Sequence, residues 1–89
     1  MMNSELEAAF RAKDNDKLAQ YFYQISEQVF DHLKIESQYH AEALQEGVWI
    51  CFEKIKKYDP DKTGAKLFNY LTTCICGHFR QLYRKKRKQ

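Results

Sequence analysis

Glycine occurs three times and proline once in 89 residues. That is too little turn chemistry for the many short strands and tight loops of a β-sandwich or barrel. No apolar run approaches the roughly 20 residues that a membrane span requires. The first residues, Met1-Met2-Asn3-Ser4-Glu5, are polar and acidic and carry no secretory signal pattern. Three cysteines are an odd number and suggest no disulfide framework. These features predict a reduced, cytoplasmic setting without a membrane partner. The last ten residues contain no acid at all.

What is present points to a packed core. Six Phe, six Tyr and one Trp supply more apolar area than a disordered chain carries. A chain of this length forms one domain, here 1–89, and buries only about 60% of its unfolded surface, so a partner is expected to add stability. The charge is polarised. Residues 1–79 hold 9 Lys/Arg against 12 Asp/Glu, a net of −3, whereas 80–89 hold six cations and no acid. A mildly acidic body with a strongly basic end suits two partners of different character better than a uniform coat on nucleic acid.

The periodicity is helical throughout. Ser4 and Glu7 have capping-box spacing and predict a short helix with Leu6, Ala9 and Phe10 on one face. Asp14-Asn15-Asp16 predicts a stop and a capped restart. Leu18, Tyr21, Phe22, Ile25, Val29 and Leu33 then mark a helix from Lys17 to about Leu33. After a polar connection, Lys34 to Tyr39, a third helix is expected from His40 to Tyr58, burying Leu44, Val48, Cys51, Phe52 and Ile55. Asp59 to Gly64 is the clearest loop. A fourth helix starts near Lys66 with two stripes, Leu67/Leu71/Cys74/Ile75/His78/Leu82 and Phe68/Thr72/Phe79/Tyr83, a face broad enough for more than one neighbour. Residues 84–89 extend that helix as a basic tail. The expected fold is all-α, a compact bundle of about four helices.

Three features carry functional information. Opposite the apolar stripe of the third helix, Glu42, Gln45, Glu46, Trp49, Glu53 and Lys56 share one face. Acids and amides on a helix are ordinarily just solvated. A lone tryptophan among them suits an interface anchor, unless it packs on the second helix. Gly47 sits mid-helix at a cost of about 1 kcal/mol relative to alanine, which a close helix crossing explains. Arg80 opens the basic end, and the five cations in a row, Arg84, Lys85, Lys86, Arg87 and Lys88, exceed what a helix dipole uses and repel one another. A phosphate backbone relieves that repulsion; an import-like signal or acidic lipid shares the pattern. Cys74 and His78 can converge on a helix, but Cys76 points away, which leaves too few ligands for structural zinc. No nucleophile–base pair or phosphate loop stands out: Ser4, Ser26 and Ser37 have no histidine at motif distance. No enzyme, cofactor or metal is expected.

The run Glu42-Ala-Leu-Gln-Glu-Gly47, then Phe52, Ile55, Lys57-Tyr-Asp-Pro-Asp-Lys-Thr-Gly64, Lys66 and Tyr70-Leu-Thr72, resembles region 2 of bacterial RNA polymerase sigma factors. The resemblance covers roughly half the chain. The following Cys76, Phe79, Gln81 and Arg84 to Lys88 look closer still to the late-transcription sigma-like factors of T-even-type bacteriophages. The resemblance implies that Glu42, Gln45 and Glu46, flanked on the same face by Trp49 and Glu53, grip the clamp coiled coil of the largest polymerase subunit. Carboxylates and an amide suit arginines there. It also implies that Lys66 and Tyr70 lie near the melted promoter strand, where an aromatic stacks on an unpaired base, and that the basic end meets promoter DNA.

Departures from the family pattern matter too. Thr73-Cys74 stands where housekeeping sigma factors have a Trp pair, and Cys76 and Gly77 replace a glutamine and an arginine that read the −10 element. An altered promoter preference follows, with shallow reading by this module alone and a place for a further phage or host transcription factor. The expected function is a sigma-like initiation factor acting in a bacterial or phage-infected cytoplasm. The competing readings are a sigma mimic that occupies the clamp and blocks or remodels host transcription, and a small DNA-binding protein unrelated to polymerase. The acidic third-helix face favours the first two.

Overall fold

Asp14 separates the first two helices. Its Oδ1 accepts from the Lys17 amide at 3.2 Å, so helix α1 (Met2–Ala12) stops there and α2 (Asn15–His32) starts, two residues ahead of the expected Lys17. The chain leaves both helices by the same device. Asp14 N–H reaches back to the Ala9 carbonyl and Lys13 N–H to Phe10; Ile35 N–H reaches Phe30 and Lys34 N–H reaches Asp31. These are Schellman closures, which place one residue in the left-handed region, usually glycine. Here that residue is lysine both times, Lys13 at φ 57° and Lys34 at φ 56°. With only three glycines in the chain, lysine takes the strain.

A 3₁₀ turn, Ser37–Tyr39, leads into α3 (His40–Ile55), and α4 (Leu67–Arg87) follows. The computed structural model describes residues 2–59, 61 and 66–87, with side chains from Asn3 to Tyr83. Among these residues there are four α-helices and no strand, an all-α four-helix bundle. The radius of gyration is 13.2 Å, close to the ~12 Å expected for a compact domain of this length. No helix is long and apolar enough to cross a membrane among the described residues.

One core runs through all four helices. Leu6, Phe22, Ile25, Cys51, Leu67, Leu71, Ile75 and Phe79 are fully buried. The Gly47 crossing expected from sequence is there. A Cβ on Gly47 would run into Ser26 Oγ of α2, lie 2.5 Å from Ser26 Cβ and 3.3 Å from Phe79 Cζ of α4. Three helices therefore meet at one missing methyl. Ser26 is itself buried and satisfied, its hydroxyl donating to the Phe22 carbonyl at 2.7 Å.

Several local expectations are corrected. Ser4 and Glu7 do not cap α1, because the helix already runs from Met2 and Ser4 lies inside it. Asn3 has taken a long-range role: its Oδ1 accepts from the Phe68 amide at 3.0 Å and so caps the start of α4. Helix α3 ends at Ile55, three residues short of Tyr58. Tyr58 turns back into the core, edge-on to Phe10 at 6.0 Å and tilted on Tyr70 at 5.2 Å. The α3 stripe is centred on Ala43, Leu44, Gly47, Ile50, Cys51 and Ile55. Val48 and Phe52 are only partly buried, since packing on both α2 and α4 moves the buried arc. On α4 the core line is Leu67, Leu71, Ile75, Phe79 and Tyr83. Cys74 and His78 are half-buried and Leu82 is exposed. Of the expected 59–64 loop, the Asp61 amide donates to the Asp59 carboxylate at 2.9 Å; Pro60 and 62–64 lie outside the described residues.

Candidate docking and nucleic-acid faces

Helices α3 and α4 pack antiparallel, and among the described side chains three hydrogen bonds run in register along their seam. Tyr70 Oη donates to the Lys54 carbonyl at 3.2 Å, His78 Nε2 lies 2.9 Å from Glu46 Oε1, and Tyr83 Oη donates to Glu42 Oε1 at 3.1 Å. An ionised carboxylate only accepts, so His78 Nε2 carries the proton in the Glu46 contact. Burial first, and then the hydrogen bond to Glu42 and the negative charges of Glu42 and Glu46, push the Tyr83 phenol well above its ordinary range. It therefore remains a donor at any physiological pH.

The α3 face expected to dock is exposed as a unit. Glu42, Gln45, Trp49, Glu53 and Lys56 are exposed and Glu46 is half-exposed. Trp49 is 54% exposed, the most exposed large apolar side chain of those described. It does not pack into the core; the nearest ring is His78 of α4, 6.1 Å away between centroids. Glu53 and Lys56 form an i, i+3 pair at 3.5 Å with both side chains largely in solvent, a contact worth little. Glu42 and Glu46 differ from the other face residues in being held by a second helix. The stripe reading put His78 and Tyr83 in the core and missed them as partners of the acids. The antiparallel register anchored at Gly47 and Phe79 is the signal that pairs them.

Helix α4 from Leu67 to Arg87 contains no Asp or Glu. Lys66 just ahead of it and Arg80 within it are exposed, as are Asn69, Thr73 and Gly77 between them. At about 100° per residue these positions fall on one ridge. Arg84, Lys85, Lys86 and Arg87 continue the helical backbone; their side chains and all of Lys88 lie outside what is described. Tyr70 is not a free stacking ring. It is half-buried, tilted against Tyr58, and tied through its hydroxyl to Lys54.

The three cysteines are free thiols. Burial, with Cys74 nearby as a lesser cause, pushes the Cys51 thiol far up, so it stays protonated and inert. Cys74 is also raised by burial, against the opposing pull of Lys54 and its hydrogen bond with Tyr70. No group of three or more His, Cys, Asp or Glu is arranged to hold a metal among the described residues. No family model, no curated protein and no solved structure matches this chain.

Proposed function

We propose that the protein is a sigma-like transcription initiation factor of the region 2 type, acting in phage late transcription. It docks on the clamp coiled coil of the largest RNA polymerase subunit through Glu42, Gln45, Glu46, Trp49 and Glu53. It meets promoter DNA along α4, with Lys66, Arg80 and the cations from Arg84 to Lys88, and with Tyr70 at the melted strand. The observation that carries the reading is the α3 face. Acids and an amide surround a tryptophan that is 54% exposed on an otherwise well-packed bundle. Such an anchor suits a partner that brings arginines and an apolar contact. The acid-free, cationic ridge of α4 on the same module suits a phosphate backbone.

One observation favours the second reading, a sigma mimic that docks without reading promoters. Tyr70, the expected base-stacking ring, is engaged by Tyr58 and Lys54, and Thr73-Cys74 stands where a Trp pair captures bases in housekeeping sigma factors. Reconstitution with core polymerase separates the two. An initiation factor yields transcripts from a defined start site, whereas a mimic binds and yields none. In the same titration Trp49 emission is expected to shift to the blue on docking. Glu46→Lys is expected to weaken binding by about tenfold or more with native circular dichroism. Unchanged affinity of Glu46→Lys removes the docking assignment.

A further inference from the structure

Glutamate has a long side chain, and holding it in one geometry costs rotamer freedom. A carboxylate that is already held meets its partner at lower cost. Two of the acids on the α3 face are held in this way. Glu46 takes His78 on Oε1 while its side chain stays 40% exposed. Glu42 takes Tyr83 on Oε1 and is likewise exposed. In each case the other oxygen and the unused lone pairs remain open to a second donor. The imidazole is itself well placed. Its side chain is only 18% exposed, and its ring neighbours core Phe79 at 6.5 Å and surface Trp49 at 6.1 Å. A chain of contacts thus runs from the core through His78 to both the acid and the tryptophan. Among the described residues, Gln45 and Glu53 receive no such bond from α4.

We infer that the docking surface belongs to two helices, with His78 and Tyr83 of α4 acting as positioning residues that pre-set Glu46 and Glu42 for guanidinium donors. The inference rests on the docking reading above, and its test keeps the two apart. Core polymerase is titrated against the full chain labelled at its N-terminus, so that Trp49 emission is not the readout. His78→Leu is expected to weaken docking about fivefold or more, and His78→Gln, which keeps a donor near the Nε2 position, to restore most of that loss. In a Glu46→Ala background His78→Leu is expected to have no further effect, a coupling that a merely structural role does not produce.

Full affinity of folded His78→Leu, together with a weakened Glu46→Lys, overturns the positioning role and leaves docking intact. An additive double mutant overturns it equally. Unchanged affinity of Glu46→Lys overturns both. Should His78→Leu fail to fold, Tyr83→Phe against Glu42→Ala repeats the cycle at the second pair, where additivity overturns the inference and non-additivity supports it.

Discussion

Gly47 and Gly77 lie in helices and face opposite consequences. Alanine at Gly77 meets nothing within 4 Å, so Gly77→Ala is expected to stabilise the fold by about 1 kcal/mol through helix propensity. At Gly47 the same methyl drives into Ser26 and presses on Phe79. Overpacking of that kind costs about 1–3 kcal/mol, more than propensity returns, so Gly47→Ala is expected to destabilise. Urea denaturation of both variants checks the contrast. Ser26→Gly removes both clashing atoms, and in that background the penalty at position 47 is expected to shrink. Equal effects of the two alanines would show that the three-helix crossing does not set the cost.

At the scale of elements, the two lysine closures leave stability unclaimed. A left-handed residue with a Cβ costs about 1–2 kcal/mol, which glycine avoids at the expense of greater chain entropy when unfolded. Lys13→Gly and Lys34→Gly are each expected to stabilise the fold by up to about 1 kcal/mol, read as a higher urea midpoint, whereas alanine at either position brings no gain. The existence of the four helices was readable from periodicity, and a capped restart within 14–16 and the crossing at Gly47 from single residues, because each depends on residues close in sequence or on a single unfavourable choice that demands a reason; that Asp14 in particular is the cap was not. The Asn3 cap on α4 spans 65 positions and has no local signature. Ser4 and Glu7 had that signature and do not cap the helix, since the chain becomes helical before it. On the α3 face, exposure of Gln45, Trp49 and Glu53 followed from the pattern. The His78 and Tyr83 bonds did not, because they depend on how α4 is rotated against α3. Leu82 was misplaced for the same reason: the buried line drifts around α4 by about 40° for every four residues and carries it out of the core.

Across the whole molecule, the groups that hold their protons more tightly when folded lie in the shared core and along the α3–α4 seam. Burial is the leading cause of the raised pKa at Cys51, Cys74, Tyr58, Tyr70 and Tyr83. Each contribution is complete while the unfolded chain also keeps its proton. Each begins to be lost as pH passes the ordinary thiol value of 9.0 and the ordinary phenol value of 10.0. Stability is therefore expected to fall on the alkaline side, first from the thiols and then from the phenols. For fully buried Cys51 the slope is about 1.4 kcal/mol per pH unit. Denaturation midpoints at pH 8 and pH 10.5 check this, and Cys51→Ala is expected to flatten the early part of the fall. An unchanged midpoint would contradict it.

The seam between α3 and α4 also has a sense of direction. In the three side-chain bonds described along it, α4 gives the hydrogen and α3 receives it. The lone pairs left over on Glu42 and Glu46 ask for donors, and a phosphate brings none. On the proposed docking face Glu42 and Glu46 present acceptors to a phosphate, which also only accepts, whereas Gln45, Trp49 and Lys56 are the groups there with hydrogens to give. In the proposed use of this face, the sense of the hydrogen bond at Glu42 and Glu46 adds to the sign of the charge in favouring a guanidinium, and added salt, which screens only the charge, leaves the first of these in place.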